Sequence, residues 1–186
     1  MAQEIEVKFP LQNRPELTRK LYELGAQRLY PETFEDNIVL DRRGELRTKG
    51  ALLRVRKFGK YALATFKGPM AIEVGGIKTR EEVQTGVESF ELAIQLFDSL
   101  GFKPVFRYQK YREVWRVREV EVVLDRTPIG DYFEIEGPIE TIRTIAGELG
   151  MSFEQAIRLT YADLYRQARR TRADLPEHMV FPADQL

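Results

Sequence analysis

Charged and apolar side chains alternate along several short segments of the chain. Glu4-Ile5-Glu6-Val7-Lys8 is the first, and Phe133-Glu134-Ile135-Glu136 repeats the pattern late in the sequence. Successive side chains of a β-strand point to opposite faces, so each segment predicts a strand with one charged and one apolar face. Similar patterns predict further strands at residues 34–40, 52–56, 61–67, 78–83 and 120–124, and one long strand or a pair of strands at residues 105–117.

Helix signals stand between and after these strands. Asn13 followed by Glu16 is typical of a helix N-terminus, and Gly25 is typical of a C-terminal cap. Apolar residues at helical spacing predict a second helix over residues 89–100 and a third over 139–149. Ser152 with Gln155 predicts the start of a longer helix that reaches about residue 169.

The order of elements suggests one main domain with an internal repeat. Residues 4–68 and 78–137 each predict a strand, a helix and then further strands. We therefore assign residues 1–170 to one domain and residues 171–186 to a C-terminal tail. The tail is polar and contains prolines, so we expect it to be poorly tied down. A Gly-Gly pair also predicts a flexible loop over residues 70–76.

Composition narrows the chemistry. The 186 residues include 29 basic and 29 acidic side chains, so no global charge attracts the chain to nucleic acid or to a membrane. There is no cysteine, which excludes disulfides and thiolate metal sites and fits a cytoplasmic protein. The one histidine, His178, lies in the tail, so an imidazole zinc site is not expected.

The charged strand faces either line an enclosed cavity or face water. If the helices cover the apolar faces, the charged faces point away from the helices and a closed sheet would enclose them. An open sheet with its charged face in water is the alternative. Mixed charge on almost every strand favours the enclosed form, because a cavity needs both signs near balance. The candidate inward residues are Glu4, Glu6, Lys8, Arg54, Arg56, Lys67, Arg80, Glu82, Lys110, Arg112, Glu134 and Glu136.

These residue types point to metal and phosphate chemistry. Paired carboxylates on one strand face suit a hard divalent cation, which prefers oxygen ligands. A lysine beside them, such as Lys8, suits an anion bound to that metal.

Several motifs resemble the CYTH superfamily of triphosphate tunnel metalloenzymes over about the first 165 residues. They are Glu4-x-Glu6-x-Lys8, Leu53-Arg54-Val55-Arg56, Lys67-Gly68-Pro69, Thr79-Arg80-Glu81-Glu82, Lys110-Tyr111-Arg112, Leu124-Asp125 and the run from Gly130 to Glu136. The resemblance is greatest to the class IV adenylyl cyclase branch, partly through Tyr161-Ala162-Asp163-Leu164. It implies an α+β fold with a closed, eight-stranded antiparallel barrel, a charged lumen and helices outside. It also implies a triphosphate bound with Mg²⁺ or Mn²⁺.

The resemblance and the residue types together lead us to expect particular roles for the charged residues. Glu4, Glu6, Glu134 and Glu136 are the expected catalytic residues, and with Glu82 they are the expected metal ligands. The expected triphosphate ligands are Lys8, Arg54, Arg56, Lys67, Arg80, Lys110 and Arg112.

Three functions remain open at this stage. The chain is expected to be a metal-dependent enzyme that converts ATP to cyclic AMP and pyrophosphate. The alternatives are a triphosphatase acting on inorganic triphosphate, thiamine triphosphate or a nucleotide, and a polyphosphate-binding module without turnover. The expected partner is thus a small triphosphate, without nucleic acid or membrane, and a homodimer is left open.

Overall fold

The computed structural model of the protein describes residues 2–72 and 77–185. The strands within these ranges are β1 (Ala2–Pro10), β2 (Gln27–Asp41), β3 (Leu52–Phe58), β4 (Tyr61–Lys67), β5 (Ala71–Ile72), β6 (Lys78–Val87), β7 (Lys103–Val117), β8 (Val120–Thr127) and β9 (Gly130–Glu136). The helices are α1 (Arg14–Glu23), α2 (Glu45–Thr48), α3 (Phe90–Ser99), α4 (Ile139–Glu148) and α5 (Tyr161–Thr171). In the described ranges, no helix has the length and apolar character needed to cross a membrane.

The strands form a closed antiparallel barrel. Their order is β1-β9-β8-β7-β2-β3-β4-β6, and β6 pairs back with β1 so that Glu4 lies opposite Arg80. The two-residue strand β5 pairs with β6 beyond the end of β4, so it adds no ninth position around the barrel. The predicted eight-stranded barrel is confirmed, and the open-sheet alternative is wrong.

The predicted repeat is present as a repeat of topology. The segments β1-α1-β2-β3-β4 and β6-α3-β7-β8-β9 follow the same order of strand, helix and three strands. The two halves meet at four strand pairs, β1 with β6, β1 with β9, β2 with β7 and β4 with β6. Two similar halves therefore close one barrel.

Apolar strand faces point outward, and helices cover large parts of them. Helices α1 and α4 pack on the largest core, where Val7, Phe9, Trp115, Phe133 and Ile135 are almost fully buried. Helix α3 covers a second core that includes Leu40 and Val55 of β2 and β3. Burying a large apolar side chain contributes about 1.5–3 kcal/mol. The helices thus hold the apolar faces outside and leave the charged faces for the lumen.

The predicted long helix over residues 153–169 is wrong. A short 3-10 helix, Phe153–Gln155, carries the predicted capping box, but Ala156 is already extended and α5 begins only at Tyr161. Thr160 caps α5 through a second capping box with Asp163. The extended segment forms hydrogen bonds with the barrel instead of with a helix, as when the Ile157 N–H donates to the Lys8 carbonyl.

The tail is also more ordered than expected. Met179 is fully buried, and its N–H and carbonyl bond to Arg107 and Gln109 of β7. The Tyr165 hydroxyl lies 2.8 Å from the Pro176 carbonyl, which ties the tail to α5. Apolar side chains among the polar ones therefore fix this segment. Of the predicted loop over residues 70–76, Ala71–Ile72 form β5 and residues 73–76 lie outside the described residues.

Candidate active site

The barrel encloses a cavity of about 850 Å³. All twelve residues predicted to face inward line it: Glu4, Glu6, Lys8, Arg54, Arg56, Lys67, Arg80, Glu82, Lys110, Arg112, Glu134 and Glu136. Every second residue of a strand faces the same way, so the charge alternation of the sequence becomes a charged lumen.

The lining changes along the tunnel. Strand β3 carries Leu52, Arg54, Arg56 and Phe58 on its inner face in that order. The register places Phe58 opposite Tyr61 of β4. Aromatic side chains therefore lie together at one end, and the charged side chains lie deeper.

The other end is crossed by the segment that precedes α5. The Leu159 carbonyl accepts hydrogen bonds from the ammonium groups of Lys8 and Lys78, at 3.4 and 3.3 Å. The Lys8 ammonium also lies 3.7 Å from the centre of the Tyr161 ring. These contacts join the segment to the inner faces of β1 and β6, so the described residues cover this end of the tunnel beside those two strands.

A dense ion-pair network occupies the wall formed by β7, β8 and β9. The Arg112 guanidinium bonds to Asp125 at 2.6 Å and to Glu134 at 2.7 Å. The Lys110 ammonium and the Tyr161 hydroxyl also donate to Asp125, at 2.9 and 2.7 Å. Asp125 thus holds three donors in fixed positions. Its bonds to Arg112 and Lys110 are charge-assisted and therefore stronger than hydrogen bonds between neutral groups.

Buried charges here depend on one another. Burial alone would raise the pKa of Glu35, but Lys110, Arg112 and Arg56 hold it below its usual value. Burial likewise opposes ionisation of Glu134, and the charges of Lys8 and Arg112 overcome it, so its pKa is well below normal. Both carboxylates are therefore ionised at neutral pH.

A second cluster lies where β1, β4 and β6 meet. The Lys67 ammonium sits between two carboxylates, bonding to Glu4 and to Glu82, the latter at 2.8 Å. The Arg80 guanidinium bonds to the other oxygen of Glu4 at 3.0 Å. Glu6 pairs with Lys78 at 3.3 Å.

Glu136 differs from the other lumen carboxylates. Among the described residues it has no ion-pair partner within 4 Å, and its side chain is open to the cavity. The surrounding wall still limits its hydration, and this burial, with the nearby charge of Glu4, raises the pKa of Glu136 to about 7. A carboxyl that gains and loses a proton near neutral pH is suited to acid–base chemistry.

The carboxylates provide the donor chemistry of a hard divalent cation. Glu4, Glu6 and Glu82 all lie near enough to Glu136 to disfavour its ionisation, which marks a local excess of negative charge. Within residues 2–72 and 77–185, however, no three acidic or histidine side chains already converge as a ligand set. Lys67 occupies the position between Glu4 and Glu82, so these residues fit a cation only if the ammonium moves aside.

Arginines on the opposite wall keep unused donors. Arg54 bonds to the Tyr108 hydroxyl at 2.9 Å, and Arg56 bonds to Gln84 at 3.1 Å. The Nε atoms of both guanidinium groups are buried without a hydrogen-bond partner among the described residues. A buried unpaired donor is costly, so both groups are prepared for an added acceptor.

Sequence reasoning missed several residues of the site, among them Lys78, Glu35, Asp125 and Tyr161. Lys78 shares its strand face with Arg80 and Glu82, so the alternation could have identified it. Glu35 lies on a strand whose next inward residue, Asn37, is uncharged, which hid the pattern. Asp125 and Tyr161 are within the matched motifs, but no local pattern indicated that they would meet.

A closed barrel with this lumen is the architecture that the sequence resemblance implied. The CYTH domain model matches residues 2–152, so the chain belongs to the CYTH domain family. A protein of Methanocaldococcus jannaschii, whose name proposes adenylate cyclase activity, is 28% identical over 175 residues, covering 87% of this chain and 97% of the relative.

Solved structures share the fold. A Pyrococcus horikoshii protein superposes with a TM-score of 0.72 at 29% identity, covering 87% of this chain and 98% of that one. A Hippeastrum protein, described as an adenylyl cyclase candidate with a dominant triphosphatase activity, has a TM-score of 0.66 at 15% identity over 90% of this chain and 96% of its own. At that identity the likeness concerns the fold alone.

Proposed function

We propose that this protein is a divalent-metal-dependent enzyme that binds a triphosphate in the tunnel and cleaves it, with ATP cyclised to cyclic AMP and pyrophosphate. The observation that carries this proposal is the lumen itself, where multidentate cations face a group of crowded carboxylates. Its relative in M. jannaschii, whose name proposes the same activity, supports the choice of reaction.

Binding would exchange partners within the lumen. Lys8, Arg54, Arg56, Lys67, Arg80, Lys110 and Arg112 are the proposed triphosphate ligands. Phosphate oxygens would take the free Nε donors of Arg54 and Arg56 first. Lys67 would leave Glu4 and Glu82 to meet a phosphate, which frees those carboxylates.

The freed carboxylates would hold the metal. Glu4, Glu6, Glu82 and Glu136 are the proposed ligands, and Mg²⁺ usually needs only one or two direct carboxylates. Glu134 belongs to the same proposed set, although in the structure it is bound to Lys8 and Arg112. When bound, Mg²⁺ or Mn²⁺ would neutralise phosphate charge and polarise the bond that breaks.

For cyclisation, the ribose 3′-oxygen attacks the α-phosphorus. A bond forms between these two atoms, and the bond from the α-phosphorus to the α–β bridging oxygen breaks. The 3′-hydroxyl proton passes to a carboxylate. Glu136 is the proposed base when Glu4, Glu6 and Glu82 hold the metal without it, because its pKa in the metal-free lumen is near neutral. Arginines and lysines stabilise the departing pyrophosphate.

Hydrolysis is the second candidate. The same base would take a proton from water as the water oxygen bonds to the terminal phosphorus. The bond from that phosphorus to its bridging oxygen would break, giving orthophosphate with ADP from ATP or with pyrophosphate from inorganic triphosphate. The fold shared with a Hippeastrum protein described as having a dominant triphosphatase activity makes this route a serious alternative.

Product analysis distinguishes the candidates. The protein is incubated with ATP and with inorganic triphosphate, each in Mg²⁺ and in Mn²⁺. Cyclic AMP with pyrophosphate supports the cyclase, whereas orthophosphate from either substrate supports hydrolysis. Binding of both ligands without any product would favour the non-catalytic module.

One substitution tests the assigned base. Glu136→Gln should abolish metal-dependent turnover and leave the fold intact, because the amide cannot take the proton. Glu140→Gln, at an exposed position of α4, is the matched control and should keep full activity. Unchanged turnover in Glu136→Gln would refute the assignment.

A further inference from the structure

Three aromatic side chains surround part of the open end of the tunnel. We call Tyr30, Phe58 and Tyr61 the aromatic rim, and all three line the same cavity as the charged residues. They lie on β2, β3 and β4, which are neighbours in the barrel. The Tyr30 and Phe58 rings meet edge to face with centroids 5.4 Å apart.

A β-bulge directs Tyr30 into this position. Thr33 pairs with Arg112 and Tyr30 pairs with Val114, so three steps along β2 match two along β7. The extra residue reverses the alternation and places Tyr30 on the same side as Val114, which faces the lumen. Bulges that redirect a side chain are typical of functional sites.

Parts of the aromatic rings in the rim are exposed to solvent. Tyr30 and Tyr61 are 42% and 49% exposed, although large apolar groups of this size could be packed under a helix as they are elsewhere on this barrel. Gly86, the next inward position after Gln84 on β6, adds no side chain to the opening, and a Cβ there would meet nothing within 4 Å. Space for a flat ring therefore lies beside an exposed aromatic surface.

The distance from the rim to the arginines suits a ligand that joins an organic group to a triphosphate. Phe58 follows Arg56 by two residues on β3, about 7 Å along an extended strand. A triphosphate held by Arg54 and Arg56 would therefore place its attached organic group among the rim side chains. An inorganic triphosphate has no group to place there.

We infer that the aromatic rim binds the flat heterocycle of an organic triphosphate, so that the tunnel favours nucleoside triphosphates over inorganic triphosphate. Stacking on an aromatic side chain accepts any base, because every base has a π-face. The rim therefore selects for the presence of a ring rather than for one particular base. This inference rests on the proposed triphosphate site.

Binding measurements separate the two ligand parts. ATP and inorganic triphosphate are titrated by calorimetry in Ca²⁺, chosen to slow turnover, against wild type, Tyr61→Ala and the double variant Tyr30→Ala/Tyr61→Ala. Phe66→Ala is the matched control, since Phe66 lies on the same strand, is 41% exposed and faces outward. A triphosphate of 2-aminopurine riboside, whose fluorescence falls when its base stacks, reports on the ring directly.

We expect the double variant to weaken ATP binding about tenfold or more, the usual size for lost base–aromatic stacking. Binding of inorganic triphosphate should stay within twofold of wild type, and Phe66→Ala should change neither ligand. The 2-aminopurine signal should fall on binding to wild type and not on binding to the double variant.

Three outcomes would overturn the inference. If ATP binds no more weakly to the rim variants, or if both ligands lose affinity equally, the rim does not hold the heterocycle while the triphosphate site stands. If neither ligand binds to wild type, the proposed function fails and the rim assignment fails with it.

Discussion

Arg56 shows how single residues of the lumen are held ready for an anion. Its guanidinium is 3.6 Å from Glu35 and bonds to Gln84, yet its Nε atom has no partner among the described residues. Burial and the nearby charge of Arg54 lower its pKa despite the attraction of Glu35. A phosphate would therefore relieve an unfavourable environment as well as form new bonds.

Removal of this guanidinium should weaken triphosphate binding. A charge-assisted hydrogen bond contributes about 1.5–3 kcal/mol, so Arg56→Ala should lower the affinity for triphosphate by an order of magnitude or more. Calorimetric titration with triphosphate and with pyrophosphate measures the change. Lys57→Ala, the next residue of the same strand on the outer face, should bind like wild type, and equal affinity in Arg56→Ala would contradict the assigned role.

Glu136 predicts a pH dependence of stability. Its pKa in the folded protein, about 7, is above its ordinary value of 4.5, so the folded state holds the proton more tightly than the unfolded state. Its contribution to stability is therefore fully present below pH 4.5 and is lost as the pH rises through 7. After allowance for screening by water in the cavity, the loss is on the order of 1 kcal/mol.

Glu136→Gln should accordingly stabilise the metal-free protein at pH 8 by a few degrees in Tm and change it little at pH 4.5. Thermal unfolding in EDTA at both pH values checks this sign. A lower Tm for the variant at pH 8 would show that the carboxylate is not destabilised in the tunnel.

At this scale, the sequence predicted which face a charged residue occupies but not which partner it meets. The alternation correctly placed Glu4, Arg54 and Glu134 in the lumen. It could not show that Lys67 bridges Glu4 and Glu82, because Glu4 and Lys67 are 63 positions apart in the sequence. Partners across a barrel depend on strand order and register, which no local pattern contains.

At the scale of elements, the strands were easier to predict than the chain after α4. Alternation is local and located the strands of the barrel, but not all their bounds: β2 begins at Gln27 rather than at residue 34, and β6 ends at Val87 rather than at residue 83. Residues 156–160 have apolar residues that fit a helix, but hydrogen bonds to Lys8 and Lys78 of the barrel hold them extended. Tertiary contacts thus overrode a local helix signal. The capping pair of Thr160 and Asp163, which the sequence analysis did not use, could have indicated where α5 begins.

The tail gives a direct test of such contacts. Met179 is fully buried beside Tyr108 and Tyr165, so Met179→Ala should destabilise the protein by about 2–5 kcal/mol. Denaturant unfolding measures the loss, with Glu177→Ala at an exposed tail position as the control. If both variants unfold like wild type, the tail does not contribute to the folded domain.

At the scale of the whole molecule, closure of the barrel explains why so many charges can be buried. The cations and carboxylates of the lumen come from all eight strands, and each wall supplies partners for the other. Outside the barrel, the helices pack on the apolar strand faces of both halves and form the hydrophobic cores. The pattern of alternation and the family resemblance were sufficient to predict this architecture. A sheet with one charged face and with helices on its other face can form only a few folds.

The covered end of the tunnel has a kinetic consequence. Because Leu159 and Tyr161 lie across the end beyond Lys8 and Lys78, we expect a substrate that enters through the rim with its phosphates first to leave by the rim as well. Of two products, the nucleotide would then lie outside the pyrophosphate and would depart before it. Pyrophosphate, as the last product to leave, should inhibit competitively against ATP, whereas cyclic AMP should give a mixed pattern. Initial-rate measurements with each product added would reveal this order, and release in the reverse order would mean that the covered end opens during turnover.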